Sequence, residues 1–328
     1  METTMGYARR HELFKKVFLG FELPAILFVV FTNLLVLWFI RKMHTKKQCP
    51  HNVHYIVSLS VANLFAGAMA LPVSILSNFT NIQGDLFCRA SHYLLHVVEF
   101  AEVYSLVGLA VDRYQVMISN RIDGTSNSKV PRFVGVVLIW LSSLIYGVPY
   151  SFIYKERLIR VEVDRGQEIT FTACSPIHKM TLTKLLILVD AVVVFCLPLI
   201  IIAIAYLFLV LHVDRESQQN SSKKVLKTVL VLILVFIIFD LPLLIFNTYI
   251  LYGPGDILHQ DIIQEVLELV AFLNFGINAI VYALMRANFK TYWELLPKCV
   301  TRIHPQESVR NVNTDVLEIK STNNNTGN

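Results

Sequence analysis

The sequence predicts an all-α membrane protein: a bundle of seven transmembrane helices followed by a short amphipathic eighth helix. Two observations support this fold class. Of the 328 residues, 55% are hydrophobic and only 16% are charged, whereas soluble domains carry about 25% charged residues. The apolar residues are also concentrated in long blocks of membrane-spanning length, separated by short polar loops.

The apolar blocks follow one another without an internal repeat. They lie at residues 17–40, 53–77, 86–118, 132–154, 180–212, 224–251 and 261–285. We therefore expect residues 17–285 to form the transmembrane domain, preceded by a polar N-terminal segment, residues 1–16. Residues 286–296 place apolar side chains at helical spacing, which predicts an amphipathic helix on the membrane surface. Residues 297–328 are rich in Asn, Thr and Ser, which is typical of a disordered tail.

Basic residues indicate how the blocks are oriented. They collect after the first, third, fifth and seventh blocks, at positions that include Arg41, Lys42, Lys46, Lys47, Arg121, Lys129, Arg215, Lys223, Arg286 and Lys290. Such loops face the cytoplasm, so we expect an extracellular N-terminus and a cytoplasmic C-terminus. The glycosylation sequon at Asn78 then lies in an outer loop. Cys299, just after the amphipathic helix, is a candidate palmitoylation site.

The longest outer loop, residues 155–179, contains two alternating runs, 159–163 and 168–172, around a turn at 164–166. This pattern predicts a β-hairpin over the outer end of the bundle. Cys174 follows the hairpin, and Cys88 begins the third block on the same side. A disulfide between the two cysteines is allowed there, the alternative being two free thiols.

Several short motifs, each different, lie along the blocks in a definite order. Asp112-Arg113-Tyr114 lies at the inner end of the third block, and Asn278-Ala279-Ile280-Val281-Tyr282 ends the seventh. Single positions fall between and around them in the order Asn33, Asn63, Trp140, Pro198, Tyr206, Phe236 and Pro242. Together with Cys88 and Cys174, their order and spacing resemble those of the rhodopsin-like (class A) G-protein-coupled receptors.

The resemblance implies a multi-pass plasma-membrane receptor, not an enzyme, that binds an extracellular ligand and activates a heterotrimeric G protein. An arrestin and a receptor kinase would be further partners, and no cofactor, metal or nucleic acid is expected. The family pattern implies a Cys88–Cys174 disulfide, hinges at Pro198, Phe236 and Pro242, and Arg113 paired with the adjacent Asp112. The residues it assigns to G-protein coupling and switching are Asp112, Arg113, Tyr114, Tyr206, Asn278 and Tyr282.

The chain departs from the family pattern inside the bundle. Asn63 replaces the acid of the second helix, and a carboxylate occurs on the third helix instead, at Glu102. We expect Glu102 to lie in a polar core with Asn33, Asn63, Asn274 and Asn278, where it either binds a sodium-like ion or is protonated. Ser222 stands where many members carry an acid that restrains the inner arginine, so we predict ligand-independent activity.

Ionisable residues within the blocks predict the ligand pocket, since intramembrane charges are costly and are usually functional. By analogy with the family, the pocket residues are His92, His96, Glu99, Asp190, Asp240, Asn247 and Glu268. Several carboxylates favour a cationic ligand, either an amine or a basic peptide. Leu95 at the amine-binding position argues against a monoamine, and Phe272 at the retinal-binding position argues against an opsin. Alternatively, the carboxylates pair with the histidines and only hold the bundle together.

Two other functions fit parts of the sequence. A chemosensory (odorant-type) receptor would also have a short N-terminus, a short third inner loop and unusual switch residues. A transporter or proton pathway would also carry acids and histidines in its spans, but the absence of an inverted repeat and the Asp112-Arg113-Tyr114 motif favour a receptor.

Overall fold

The structure is a computed structural model, and it describes most of the transmembrane region. The described residues are 4–45, 53–73, 75, 84–122, 131–163, 167–176, 180–212, 219–253 and 260–285. The predicted sequon at Asn78, the predicted palmitoylation site at Cys299, the amphipathic helix at 286–296 and the tail at 297–328 lie outside these residues.

Each of the predicted apolar blocks forms a helix that is long and apolar enough to cross a membrane, so the seven-helix prediction is confirmed. In chain order the helices are α1 (Thr4–Thr45), α2 (Val53–Phe65, continued by a π-helical segment, Ala66–Ala70), α3 (Asp85–Ile122), α4 (Arg132–Ile153), α5, α6 (Gln219–Tyr252) and α7 (Gln260–Met285). The fifth helix, α5, consists of Met180–Asp190, a π-helical segment Ala191–Cys196, and Leu197–His212. Helix α1 begins before its membrane span, which starts at Val17.

Helix α3 occupies the centre of the bundle. It packs against α2, α4, α5 and α6, and its inward side chains, such as Ala101 and Val103, are almost completely buried. On the outside of the bundle, large apolar side chains remain exposed, for example Leu27 at 70% and Ile145 at 73%. An apolar exterior of this kind suits lipid rather than water, because a soluble protein rarely exposes continuous apolar surface.

Helices α2, α3 and α4 approach one another closely around a single ring. The aromatic ring of Tyr55 in α2 lies directly against the backbone of Gly108 in α3 and Gly135 in α4. A Cβ atom at Gly108 would collide with the Tyr55 ring, and one at Gly135 would collide with the Tyr55 hydroxyl, so glycine at both positions permits the three helices to pack at this distance.

The π-helical segment of α5 has an identifiable supporting contact. A π turn changes the backbone hydrogen-bonding pattern and can leave a carbonyl in need of a donor. The Tyr104 hydroxyl of α3 donates to the Val193 carbonyl at 2.9 Å. Just beyond the segment, Pro198 has no backbone N–H to donate, so irregularity in α5 is concentrated over less than three turns. Pro198 is one of the three predicted hinge residues.

The other two predicted hinge residues lie in α6. Pro242 is inside the helix, and Phe236 is buried against Phe100, Val103 and Val194. Phe236 therefore packs α6 against α3 and α5, while the role of both residues in movement stays a prediction.

The predicted β-hairpin is confirmed and is longer than the alternating runs suggested. Strand β1 (Tyr154–Val163) continues directly from α4 and pairs antiparallel with β2 (Gln167–Pro176). Cys174 forms a disulfide with Cys88, with their Cα atoms 5.5 Å apart. The backbone N–H of Glu156 also donates to the Asp85 carboxylate at 3.4 Å. The base of the hairpin is therefore attached to the N-terminal end of α3.

Candidate functional site

A cavity of about 500 Å³ lies beneath the base of the hairpin and between α3, α5, α6 and α7. All the residues predicted for the ligand pocket line it: His92, His96, Glu99, Asp190, Asp240, Asn247 and Glu268. The structure adds further polar residues that were not assigned to the pocket, namely Glu102, Tyr154, Gln264 and Glu265. Its apolar wall includes Leu95, Phe195, Phe236, Phe272 and Phe275. Its volume is in the range of sites that hold a small molecule or a short peptide segment.

The lining of this cavity is strongly acidic. Six carboxylate side chains contribute to it, from Glu99, Glu102, Asp190, Asp240, Glu265 and Glu268. None of the described lining residues is Lys or Arg. Carboxylates inside a membrane protein are costly unless they are hydrogen-bonded, neutralised or paired with a cation, so the partners of each acid determine which of them remain available.

Asp190 of α5 is held by α4. Both Tyr146 and Tyr150 donate hydrogen bonds to its Oδ1 atom, and the two hydroxyls lie 3.1 Å apart. Sequence reasoning missed these tyrosines, although their spacing of four residues would have placed them on one face of α4. The alternative prediction was that the carboxylates pair with the histidines and only hold the bundle together. Asp190 does join two helices, but its partners are tyrosine hydroxyls rather than histidines.

The histidines of α3 form an aromatic wall. His92 stacks on Tyr154 with ring centroids 3.5 Å apart, and His96 stacks on Tyr150, also at 3.5 Å. Burial raises the pKa of Tyr154 to about 12, so its hydroxyl is neutral at physiological pH. The Glu99 carboxylate lies 3.5 Å from His96 Nδ1 and its side chain is 43% exposed. Glu99 therefore has one long contact and a face open to the cavity.

The deepest carboxylates of the cavity lie in Glu102 of α3 and Asp240 of α6. Asn278 Nδ2 donates to Glu102 Oε1 at 2.8 Å, and Asn274 Nδ2 donates to Asp240 Oδ2, also at 2.8 Å. Glu102 is only 2% exposed, yet both acids contribute to the cavity lining. The cavity therefore reaches into the predicted polar core.

Residues 32–282 match the family model described as "7 transmembrane receptor (rhodopsin family)". This match covers well over half of the chain. The chain belongs to the rhodopsin family of G-protein-coupled receptors. Its members are signalling receptors and not enzymes, so the transporter alternative is dropped.

Several curated peptide receptors are similar to this receptor at low identity. The mouse neuropeptide Y receptor type 6 is 27% identical over 86% of this chain and 81% of its own length. The rat galanin receptor type 1 is 25% identical over 75% of this chain and 71% of its own length. The QRFP-like peptide receptor of Branchiostoma floridae is 24% identical over 80% of this chain and 73% of its own length.

The polar core of the receptor forms two hydrogen-bonded groups. Asn33 and Asn63 both donate to the backbone carbonyl of Phe275, at 3.0 and 2.8 Å. The second group joins Glu102 to Asn278. Asp240, assigned to the pocket from the sequence, binds Asn274 and thereby links pocket and core. We expected these five residues to share one polar core. Helix α7 instead binds Asn33 and Asn63 through its backbone and Glu102 through a side chain.

At the last residue of the α3 membrane span, Asp112 is 2% exposed and forms an ion pair with Arg132 Nε, at the start of α4. Sequence reasoning considered only the adjacent Arg113 as a partner for Asp112. Arg113 is part of α3, but its side chain lies outside the described residues. Arg132 comes close because α3 and α4 pack tightly at this level.

The remaining switch residues lie toward the C-terminal ends of α3, α5 and α7. The ring of Tyr114 packs against Phe208 of α5, with ring centroids 5.7 Å apart, and Tyr206 is half-buried two residues earlier along α5. Tyr282 is buried, at 7% exposure, near the C-terminal end of α7. Their contribution to G-protein coupling stays a prediction.

Proposed function

We propose that this receptor binds a basic peptide from the extracellular side and activates a heterotrimeric G protein. The acidic cavity is the observation that carries the proposal, because six carboxylates line it and its described lining contains no Lys or Arg. A ligand that brings an ammonium or guanidinium group would supply the missing positive charge and donors.

Two further observations favour a peptide over a small amine. The relatives with the similarities given above are named for neuropeptide Y, galanin and QRFP-like peptides. The position at which aminergic receptors bind their amine is Leu95, an apolar lining residue. These relatives also make the peptide proposal stronger than the chemosensory alternative.

The proposed orientation has the N-terminus outside the plasma membrane and the C-terminus in the cytoplasm. The basic residues after the odd-numbered helices, such as Arg41 and Lys42, support it. In this orientation the hairpin faces the extracellular space and Arg132 faces the cytoplasm. A receptor kinase and an arrestin are proposed as further cytoplasmic partners, on family grounds alone.

The test is nucleotide exchange on a G protein, measured in cells or membranes against a panel of basic, neutral and acidic peptides. We expect basic peptides to activate the receptor. Glu99→Gln should weaken their potency by about tenfold or more, because a hydrogen bond to a charged group is worth about 1.5–3 kcal/mol. Glu156→Gln, which removes a carboxylate from β1 outside the cavity lining, is the matched control and should leave potency unchanged.

The opposite pattern would contradict the proposal. Activation by neutral or acidic peptides alone, with unchanged potency in Glu99→Gln and Asp240→Asn, would show that the carboxylates of the cavity do not recognise the ligand.

A further inference from the structure

His96 of α3 is a cavity-lining residue with an unsatisfied nitrogen. Its side chain is 18% exposed, and its Nδ1 atom is buried without a hydrogen-bond partner among the described residues. The Glu99 carboxylate, one turn further along α3, lies 3.5 Å from this nitrogen, which is beyond the usual length of a hydrogen bond. The structure thus places a buried, unsatisfied nitrogen beside a carboxylate that it does not bind.

The groups around His96 come from several helices. In α4, the Tyr150 ring stacks on the imidazole with ring centroids 3.5 Å apart, and the Tyr146 ring meets it edge-on at 6.4 Å. Asp190 of α5 and His92 of α3 both lie within electrostatic range of His96. The other ionisable residues that line the cavity are Glu102, Tyr154, Asp240, Glu265 and Glu268. Because the described lining contains no Lys or Arg, these surroundings favour positive charge on the imidazole.

A proton on His96 would satisfy the unpartnered nitrogen. Histidine is the side chain whose ordinary change of charge falls between pH 5 and 8. A neutral imidazole has one donor nitrogen and one acceptor nitrogen, whereas an imidazolium has two donors. Its Nδ1–H can reach the Glu99 carboxylate after a small movement, since residues three apart are neighbours on a helix. The Tyr150 ring adds a favourable contact, because an aromatic face attracts a cation stacked on it.

The same carboxylate supports the proposed recognition of the ligand. The side chain of Glu99 is 43% exposed and faces the cavity. When it is paired with an imidazolium, it is less available to a ligand cation, and the imidazolium also repels a second positive charge brought close to it. Two binding events that oppose one another in this way are thermodynamically linked. Protonation of His96 therefore lowers the affinity for a cationic ligand, and the ligand in turn disfavours the proton.

We propose that His96 is a proton-controlled competitor of the ligand: when it is protonated, it pairs with Glu99 and weakens the binding of a cationic group at acidic pH. This inference rests on the proposed function, which supplies the cationic ligand. It goes beyond that function because the receptor then responds to the concentration of protons as well as to the peptide. The neutral form of His96 leaves Glu99 open to the ligand.

The first experiment measures the binding of N-acetyl-L-argininamide to the purified full-length receptor in detergent, from its effect on the melting temperature. The guanidinium of this probe stays charged at all pH values used, so any pH dependence belongs to the receptor. We expect the affinity to be about tenfold weaker at about pH 5.5 than at about pH 7.5. N-acetyl-L-citrullinamide has nearly the same shape without the charge and should not bind at either pH.

Variants identify the group that takes up the proton. His96→Gln should remove the pH dependence, so that the two affinities become nearly equal. His92→Gln is the matched control, one turn away on the same helix, and should keep the tenfold ratio. Glu99→Gln should bind the probe weakly at both pH values. If His96→Gln fails to fold, His96→Phe, which retains a ring against Tyr150, decides the result.

The pairing itself can be tested without a ligand. A double-mutant cycle with His96→Gln and Glu99→Gln, measured on the free energy of unfolding, isolates the coupling between the two side chains. We expect this coupling to be favourable at about pH 5.5 and much weaker at about pH 7.5, because only the protonated imidazole carries a charge. The stability that the pair contributes is thus present in acid and is lost as the pH rises.

Other outcomes would overturn the proposal. A tenfold ratio that persists in His96→Gln would assign the pH dependence to the carboxylates of the cavity, and a ratio that disappears in His92→Gln would assign it to His92. Equal affinities of the wild type at both pH values would show that no proton competes. A coupling that does not change with pH would reject the pair, and a probe that binds at neither pH would show that Glu99 accepts no cation.

The tests also separate this inference from the proposed function. Activation of the G protein by basic peptides with the same potency at both pH values would keep the function and reject the role of His96. A coupling and a probe affinity that both depend on pH as expected, without activation by any peptide in the panel, would reject the function and keep the role of His96.

Discussion

The buried ion pair between Asp112 and Arg132 provides the most direct test of how the inner end of the bundle is held together. It joins α3 to α4 across 20 positions of sequence. Its two ends differ in environment, since the side chain of Asp112 is 2% exposed and that of Arg132 is 17% exposed. Arg132→Gln would leave the carboxylate buried without its cation, whereas Asp112→Asn would leave a guanidinium that can reach the membrane interface.

This difference in burial sets the expected magnitudes. Removing one partner of a buried pair costs about 3–5 kcal/mol when the remaining charge stays buried, so we expect this loss for Arg132→Gln. We expect a smaller loss of about 1–3 kcal/mol for Asp112→Asn, which resembles the loss of a buried hydrogen bond. In the double variant no buried charge remains, so it should be more stable than Arg132→Gln alone. Arg132→Lys retains the charge and should fall between wild type and Arg132→Gln.

The assay is unfolding of the purified receptor in a denaturing detergent, followed by intrinsic fluorescence, for all four variants. The free energies form a double-mutant cycle, which isolates the coupling between the two side chains. If the loss in the double variant equals the sum of the two single losses, the side chains do not interact, and the argument from the ion pair is wrong.

Further predictions concern the cavity, the hairpin and the inner switch. Tyr150→Phe removes one of the hydroxyl donors to Asp190 and should cost about 1.5–3 kcal/mol in the same unfolding assay; an equal cost in an Asp190→Ala background, which has no acceptor at this position, would refute the contact. Cys174→Ser opens a disulfide that spans 86 residues. It should lower the free energy of unfolding by about 4–5 kcal/mol in the chain-entropy description, and adding a reductant to this variant should change its melting temperature no further. The receptor should also signal without ligand, because Ser222 supplies no carboxylate to restrain Arg113; second-messenger levels equal to those of empty cells would contradict this.

Much of the fold could be predicted from the sequence because the membrane imposes a strong constraint. A segment that crosses lipid must satisfy its backbone groups internally, so a long apolar block such as residues 132–154 has to become a helix. The hairpin was predictable for a similar reason, since its alternating residues have the period of a strand. The cavity-lining residues His92, Glu99 and Glu268 could be selected from the sequence because an ionisable side chain inside an apolar block is rare.

The boundaries and the irregular segments were less accessible to sequence reasoning. Helix α1 begins at Thr4, although polar residues precede the membrane span. Nothing in the apolar run of α5 indicated the π-helical segment Ala191–Cys196, because its support comes from the Tyr104 hydroxyl of another helix. Local sequence patterns contain no information about such a partner.

The sequence by itself determined the seven helices, the hairpin and which acidic residues lie within the membrane-spanning helices. Only the tertiary structure decided what each acid binds. Tyr150 meets Asp190 across 40 positions, and Asn278 meets Glu102 across 176. These pairings depend on the rotation and relative height of packed helices, which follow from side-chain packing between distant segments rather than from the period of any one helix. The acids with the fewest partners, and therefore the candidate ligand contacts, became visible only after the helices were assembled.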